Sequence, residues 1–253
     1  MSVEVLAAEA VHFSRQSRAV LAGATLSLSS REIVCLLGRN GAGKTTLLRI
    51  MLGFLHPERG IVRLDGRPLS GLSRRTLARR VAYVPQLHQP PFPYLVREVV
   101  GMGRMPSTGL FGQISRSDRE AVDTVMESLG ITPLAGRRYT QLSAGERQLV
   151  MIGRALAQGA RLLVMDEPFT GLDYGHQMEL MERLRGLKGE GYGMLMTTHQ
   201  PDHAAIIATR VTTLEAGRIA DDGMPEDIIT PAVIRRLYGV EMHSFGCAQT
   251  IPK

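Results

Sequence analysis

The nine residues Gly38-Arg39-Asn40-Gly41-Ala42-Gly43-Lys44-Thr45-Thr46 decide the fold of this chain. They fit the pattern G-x-x-x-x-G-K-[ST], in which backbone N–H groups at the start of a helix curl around a phosphate chain. The lysine places its charge on the β- and γ-phosphates, and the first threonine hydroxyl can bind Mg²⁺. A chance glycine-rich turn is the alternative, and at average residue usage it would arise in roughly 1% of such chains. The stretch therefore predicts a nucleotide-binding loop.

The residues on either side of this loop support that interpretation. Residues 32–37 form a short apolar run typical of a buried parallel strand. Residues 47–52 follow as a helix, and Gly53 is the predicted end of that helix. Strand, loop and helix are thus expected in the order that a phosphate site needs.

Length and composition fit one large α/β domain, or one domain carrying a subdomain. The chain has 253 residues, of which 44% are hydrophobic. It contains no window of 18 uncharged apolar residues, and its first residues lack the pattern of a signal peptide. The two cysteines, Cys35 and Cys247, do not form a disulfide framework. We therefore expect a cytoplasmic protein.

The net charge of +6 comes mostly from arginine, and the densest cluster contains Arg74, Arg75, Arg79 and Arg80. Nucleic-acid surfaces interleave such charges with aromatic residues, but aromatic residues are only 5% of this chain. We therefore expect no nucleic-acid partner. A solvated face, or one that meets an anionic membrane surface, explains the cluster better.

Hydrophobic periodicity predicts β structure around the loop. Residues 3–35 alternate apolar and polar, which indicates an antiparallel β layer. Residues 61–84 read as strand and turn, with a turn at residues 65–66 and a strand at 81–84. Three prolines exclude regular structure from residues 88–94.

Helices dominate the next part of the chain. A capping box at residues 117–120 predicts a helix that closes at Gly130, and a second helix is expected over residues 143–158. Strands are predicted at residues 162–166 and 194–198, with a helix at 175–187 between them. A last helix has Thr230 as its cap, Pro231 at its first position and Gly239 at its end. The layout is an α/β core with helices inserted at about residues 87–160 and a helical tail at about 225–253.

Two carboxylates follow a hydrophobic strand at Asp166 and Glu167. Asp166, at the strand's end, can hold Mg²⁺ directly or through water. Glu167 points elsewhere and can polarise a water for in-line attack on the γ-phosphate. An ordinary acidic strand end is the alternative, and the nearby phosphate loop favours the site.

Residues 142–148, Leu-Ser-Ala-Gly-Glu-Arg-Gln, decide between families. Taken alone, Ser143 and Glu146 make a capping box that could open any helix. The segment resembles the signature sequence of the ATP-binding cassette (ABC) ATPases, usually L-S-G-G-Q, and lies about twenty residues before Asp166 as in that family. Gln86 resembles the family's Q-loop glutamine, residues 171–173 its D-loop with Asp173, and His199 its switch histidine. Most of the chain follows the family's order of motifs.

This resemblance implies the ABC form of the P-loop NTPase fold: a mixed sheet with an antiparallel layer and an inserted helical subdomain, all in one domain over residues 1–253. It implies ATP and Mg²⁺ as cofactors, with the metal on Thr45, Gln86 and Asp166. Glu167 would be the catalytic base, and His199 would contact the γ-phosphate. It further implies a head-to-tail homodimer. In that dimer the signature Leu142, Ser143, Ala144, Gly145 and Glu146 of one chain face the phosphate loop of the other.

Three positions depart from the family pattern. Ala144 replaces a usual glycine and adds a methyl group near the phosphate, while Glu146 replaces a glutamine and adds a negative charge. The aromatic residue expected to stack on adenine aligns with Arg15. The planar guanidinium of Arg15 could stack on the base, or Phe13 could take that role.

Short motifs narrow the comparison within the family. Residues 83–86, 99–104, 198–201 and 237–240 resemble the ATPase subunits of bacterial importers for iron–siderophore, haem and cobalamin. That resemblance implies two integral-membrane permease subunits, indirectly a substrate-binding protein, and a peripheral location on the cytoplasmic face of the cell membrane. The apolar, proline-rich segment 86–105 would suit permease docking. The alternative is an importer for molybdate or tungstate, or a non-transport ATPase of iron–sulfur cluster assembly. We expect this subunit not to contact the cargo, so its sequence does not identify the cargo.

Overall fold

The computed structural model describes residues 5–86, 92–105 and 115–239. The strands within them are β1 (Val5–Arg15), β2 (Arg18–Ser29), β3 (Ile33–Leu37), β4 (Arg59–Leu64), β5 (Arg67–Pro68), β6 (Val81–Val84), β7 (Leu162–Met165), β8 (Gly193–Thr198), β9 (Arg210–Glu215) and β10 (Arg218–Gly223). The helices are α1 (Lys44–Met51), α2 (Arg74–Ala78), α3 (Val96–Gly101), α4 (Arg116–Ser128), α5 (Ala144–Ala157), α6 (Tyr174–Gly189), α7 (Pro201–Ile207), α8 (Pro225–Ile228) and α9 (Pro231–Tyr238).

These strands form two sheets. The larger has the order β10-β9-β3-β8-β7-β6. Its strands from β9 to β6 pair in parallel, and β10 closes one edge antiparallel to β9. The smaller sheet, β2-β1-β4-β5, is antiparallel throughout. Parallel neighbours need long crossover connections, which the helices supply. The predicted mixed sheet with a separate antiparallel layer is confirmed.

Strand β3 shows why the sequence of the larger sheet is apolar without alternation. Its side chains Ile33 and Cys35 belong to one hydrophobic core, and Val34 and Leu36 belong to a second core on the opposite face. A parallel sheet covered on both faces favours such continuous apolar strands. Burial also raises the pKa of the Cys35 thiol, so the thiol stays protonated inside the core.

Helices α3, α4 and α5 lie in the stretch where inserted helices were expected. Arg104 joins them, because its Nε donates to Asp118 Oδ1 at 2.8 Å and its Nη1 donates to the Ala157 carbonyl at 2.9 Å. Their buried side chains, such as Val100 and Val122, share one core with the parallel sheet. Across residues 5–86, 92–105 and 115–239, no helix has both the length and the apolar character to cross a bilayer.

Several predicted boundaries are confirmed and others are wrong. Gly53 and Gly239 follow their helices in the left-handed conformation, and the Thr230 hydroxyl caps α9. Helix α1 begins at Lys44, three residues earlier than predicted. Helix α2 lies inside residues 61–84, which were interpreted as strand and turn only, and β9 and β10 were not predicted. Residues 87–91 of the proline-rich segment, and Cys247, lie outside the described residues.

The predicted capping box at residues 117–120 is also wrong, because helix α4 opens at Ser115. The Ser115 hydroxyl accepts from the Asp118 N–H at 3.1 Å, and the Asp118 carboxylate accepts from the Ser115 N–H at 3.1 Å. Ser115 and Ser117 each lie three positions before an acidic residue, so the local sequence does not decide which serine caps the helix. The hydrogen bond from Arg104 to Asp118 decides it, because it fixes the Asp118 carboxylate at the helix start.

Substituting the two serines separately tests this helix start. Ser115→Ala removes the cap and should lower the free energy of unfolding by about 1 kcal/mol. Ser117→Ala, the matched control, should change it by less than about 0.5 kcal/mol. Urea unfolding followed by circular dichroism measures both. Equal losses in the two variants would contradict the assignment.

Candidate nucleotide site

The phosphate loop, residues 38–43, joins the end of β3 to the start of α1. Gly41 and Gly43 have φ values of +82° and +103°, a region that favours glycine. A Cβ at Gly43 would also lie only 3.0 Å from the Val20 carbonyl oxygen. The glycines therefore let the loop curl and let β2 approach it closely.

Lys44 is 6% exposed and folds back over the loop. Its Nζ donates to the Gly38 carbonyl at 2.6 Å and to the Arg39 carbonyl at 3.2 Å. Burial lowers the pKa of Lys44, while the negative fields of Glu167 and Asp166 oppose that shift. The ammonium thus stands at the N-terminus of α1, where the helix dipole also favours an anion.

Asp166 lies where the carboxyl ends of two parallel strands meet. Its Oδ1 accepts from Thr45 Oγ1 at 3.2 Å and from Thr197 Oγ1 at 2.7 Å. Asp166 directly follows β7, Thr197 is in β8 and Thr45 is in the first turn of α1. Ligands of open α/β sheets bind at this edge, so three segments converge where a phosphate-bound cation would lie.

Glu167 has φ +47°, a strained value for a residue with a side chain. Its N–H donates to Thr197 Oγ1 at 2.9 Å, which helps to hold this conformation. Its carboxylate accepts from Thr170 Oγ1 at 3.0 Å and from Gln86 Nε2 at 3.4 Å. His199 Nδ1 lies 3.3 Å from Glu167 Oε1, without the geometry of a hydrogen bond. The structure thus brings the predicted Gln86, Glu167 and His199 together.

The signature segment begins helix α5. The Ser143 hydroxyl accepts from the Glu146 N–H at 3.2 Å, and the Glu146 carboxylate accepts from the Ser143 N–H at 2.7 Å. Arg137 Nη1 donates to Glu146 at 3.0 Å. The bond from the Ser143 N–H first, and then the Arg137 charge, lower the pKa of Glu146. The negative charge added by Glu146 is therefore stabilised within its own chain, by the helix cap and by the ion pair with Arg137.

Gly145 and Asp173 both lie against His176. A Cβ at Gly145 would lie 2.8 Å from His176 Cδ2, so any larger residue would force the His176 side chain to move. Asp173 caps α6 by accepting from the His176 N–H at 3.0 Å, and its other oxygen lies 2.6 Å from His176 Nδ1. These bonds, led by that of the His176 N–H, lower the pKa of Asp173. The predicted signature and D-loop residues are thus packed together.

Other predicted residues are not joined to this cluster. Arg15 is exposed at the tip of the β1–β2 hairpin, opposite Arg18. Phe13 is half-buried and packs, like Val20 and Ala42, on the core beneath the loop. The hairpin therefore lies beside the phosphate loop, and both Arg15 and Phe13 remain candidates for the adenine contact. Arg39 and Asn40 are exposed on the loop.

Sequence reasoning missed Thr197, which bonds to both predicted carboxylate residues. Its hydroxyl donates to Asp166 Oδ1 and accepts from the Glu167 N–H. It is fully buried, near the carboxyl end of a strand that is apolar up to this residue. A polar side chain near the carboxyl end of such a strand is the signal that could have identified it.

The curled loop, the lysine at the helix start and the carboxylates at the strand ends define a P-loop nucleoside triphosphatase. The sequence profile of the ABC transporter family matches residues 21–170. An uncharacterized ABC transporter ATP-binding protein of Haemophilus influenzae is 38% identical over 84% of this chain and 81% of its own length. The hemin import ATP-binding protein HmuV of Bordetella pertussis is 41% identical over 93% of this chain and 92% of its own.

Solved structures agree with these sequence relatives. An inward-facing metal-chelate type ABC transporter matches with a TM-score of 0.83 and 29% identity, over 94% of this chain and 90% of that one. An ATP-binding cassette in its ADP conformation matches in fold with a TM-score of 0.84 and 24% identity, over 94% and 99%. The chain belongs to the ABC transporter family, and it is a nucleotide-binding ATPase of that family.

Removing the Thr197 hydroxyl should slow ATP hydrolysis. Thr197→Val keeps the volume but leaves the Glu167 N–H unpaired and takes a donor from Asp166, so we expect a turnover rate about tenfold lower. Thr197→Ser, the matched control, keeps the hydroxyl and should stay near the native rate. Phosphate release at saturating MgATP measures both. A native rate in the valine variant would show that the bridge does not support catalysis.

Proposed function

We propose that this chain is the ATP-hydrolysing subunit of a bacterial importer for a metal chelate of the iron–siderophore, haem or cobalamin class. The convergence of Thr45, Asp166, Glu167 and His199 beside the phosphate loop carries the ATPase part of the proposal. The import part is supported by relatives of 37–41% identity that are named hemin import ATP-binding proteins. It is also supported by similarity to a metal-chelate type transporter and to cbiO1, part of the complex cbiONQ.

The donor set at the strand ends fits Mg²⁺. Thr45 and Asp166 place oxygen atoms 3.2 Å apart, and Gln86 is held nearby through Glu167. Oxygen ligands shared between a protein and nucleotide phosphates are what Mg²⁺ prefers. In the described ranges, no group of three His, Cys, Asp or Glu is placed to hold a metal ion. When bound, Mg²⁺ would neutralise charge that develops on the β- and γ-phosphates.

Glu167 is the proposed general base. Its carboxylate would accept a proton from a water as the water oxygen attacks the γ-phosphorus and the bond to the β-phosphate oxygen breaks. Thr170 and the strained backbone fix the direction of this carboxylate. His199, beside the same carboxylate, would donate to the γ-phosphate and stabilise its charge. Lys44 would bind the β- and γ-phosphates.

A second copy of the chain would complete each site. The first-turn N–H groups of α5 at Ala144 and Gly145 have no acceptor within the helix, as at any helix start, and they can bind an anion. The side chains of Ser143 and Glu146 each accept a hydrogen bond from the other residue's backbone N–H, and Glu146 also accepts one from Arg137. A head-to-tail homodimer would place the signature of one chain on the γ-phosphate held by the other. Residues 1–253 would form one domain, with a helical subdomain at about 87–160 and a tail at about 225–253.

Replacing the proposed base tests the mechanism and the dimer together. Glu167→Gln should bind MgATP but hydrolyse it at least about 100-fold more slowly, because an amide cannot accept the proton. An ATP-bound dimer should therefore accumulate. Phosphate release and size-exclusion chromatography measure the two effects.

Glu190→Gln changes an exposed carboxylate at the end of α6 and serves as the control, which should behave as the native chain. Native turnover in Glu167→Gln would refute its role as base. A protein that stays monomeric with bound ATP would refute the dimer.

An apolar groove offers a docking surface for a permease. Its volume is about 530 Å³, and the groove lies between the helix α2 region and the start of the helical insert. Its lining residues include Leu52, Phe54, Leu77, Met102 and Met105. Phe54 is 54% exposed and Met105 is 43% exposed, and both line this one groove, so they form part of a contiguous apolar patch. We propose that a cytoplasmic helix of each permease subunit docks here, at the inner face of the cell membrane.

The groove variant Phe54→Ser with Met105→Ser should weaken binding to the permease while nucleotide binding is retained. Met224→Ser, which changes a methionine that is 56% exposed outside the groove, is the matched control. Co-purification with candidate chelate permeases, and their stimulation of ATP hydrolysis in liposomes, measure the effect. Normal association of the groove variant would contradict this docking site. Co-purification of the native chain with a soluble scaffold instead would favour the iron–sulfur assembly alternative.

A further inference from the structure

His203 is a buried histidine that none of the roles above uses. It lies in helix α7, four residues after His199, and is 6% exposed. The ring of Phe169 packs edge-on against it, with 4.9 Å between ring centroids and 65° between planes. Phe169 follows Glu167 by two residues, and His203 lines one small cavity together with Glu167 and His199, the proposed base and the proposed γ-phosphate contact.

One hydrogen-bond chain connects His203 to the D-loop. Gln177 Nε2 donates to the Leu172 carbonyl at 2.9 Å, and this bond fixes which way the amide points. Gln177 Oε1 therefore faces His203 Nε2, at 3.1 Å. Because an amide oxygen only accepts, Nε2 carries the proton. Leu172 is the residue immediately before Asp173, which caps α6.

The other ring nitrogen is buried, and His203 borders a small polar space. His203 Nδ1 is buried and has no hydrogen-bond partner among the residues described. His203 also lines a cavity of about 10 Å³ together with Glu167, Thr198, His199 and Gln200. That volume is close to the space one water needs, and the lining offers several polar groups. Burial lowers the pKa of His203, with Asp202 opposing and His199 adding to the shift, so the ring is neutral.

We propose that His203 is a positioning residue that ties the D-loop to the segment that carries His199. Through Gln177 it holds the Leu172 carbonyl, and through one water on Nδ1 it supports the wall of the cavity that includes His199 and Glu167. This inference rests on the proposed function, because it acts on residues to which that proposal gives roles. His203 itself touches no nucleotide.

The geometry predicts which substitutions preserve the link. His203→Gln places an N–H close to the position of Nε2 and should keep the bond to Gln177. His203→Phe keeps a ring against Phe169 but removes both nitrogens, so Gln177 Oε1 loses its donor and the amide can turn away from Leu172. Gln177→Leu breaks the same link from its other end. The Phe and Leu variants should therefore share one defect.

The experiment measures ATP hydrolysis by the full chain for these variants and for the His203→Phe/Gln177→Leu double variant. We expect turnover to fall about tenfold in His203→Phe, with the Michaelis constant for ATP unchanged, since one buried hydrogen bond is lost. The glutamine variant should stay within about twofold of native. The double variant should be no slower than either single variant, because both remove one link. Nitrogen-15 NMR of labelled histidine should show the Nε2–H form in the native chain.

Three results would overturn the proposal. They are native turnover in His203→Phe, an equal loss in His203→Gln, and a double variant whose losses multiply. If His203→Phe does not fold, Gln177→Leu alone decides, since native turnover in that variant would show that the link has no effect. Glu167→Gln, measured in parallel, separates the two proposals. If it hydrolyses ATP normally, the proposed base is wrong; if it is inactive while the His203 variants are normal, only this inference fails.

Discussion

The Thr197 hydroxyl is the contact on which the arrangement of the site depends. It donates to Asp166 Oδ1 at 2.7 Å and accepts from the Glu167 N–H at 2.9 Å, so it joins the ends of β7 and β8. The same Asp166 oxygen accepts from Thr45 in α1. Three segments far apart in sequence are thereby held around one carboxylate. Because the bridge is buried, water does not compete for it, and the strained backbone of Glu167 is supported.

The double-sided core makes that precision possible. Strands β3 and β7 are apolar along their length, and β8 is apolar up to Thr197, because helices or the antiparallel layer cover both faces. Polar groups of these strands are therefore confined to the carboxyl ends of the strands. There the charge of Lys44 interacts with the charges of Asp166 and Glu167. Among the described residues, the Lys44 ammonium bonds to two backbone carbonyl groups. Its single positive charge lies close to two carboxylates, so these three groups together are negative before any ligand arrives. An incoming phosphate would add negative charge, which is why a divalent cation beside Asp166 fits the site.

Local signals in the sequence predicted much of this structure. The phosphate loop, the cap and end of α9, and the turn at residues 65–66 each depend on a few neighbouring residues, and each is present. The predicted start of α4 was wrong because Arg104, fourteen residues before Asp118, bonds to that carboxylate and fixes it at the helix start. The role of Thr197 and the pairing of Glu146 with Arg137 could not be predicted from the sequence for the same reason. They depend on partners that only the tertiary fold brings together. The choice between Arg15 and Phe13 depends on where a bound adenine base lies.

The central claim is that the phosphate loop and the strand-end carboxylates form one ATP site. Calorimetric titration with a nonhydrolysable ATP analogue and Mg²⁺ tests it most directly, in the native chain, in Lys44→Ala and in the control Lys188→Ala. Lys188 lies in the last turn of helix α6, outside the phosphate loop, so the control should bind as the native chain does. Lys44→Ala should lose most of its affinity, because the removed charge contacts the phosphates. Equal binding by the native chain and Lys44→Ala would contradict the claim.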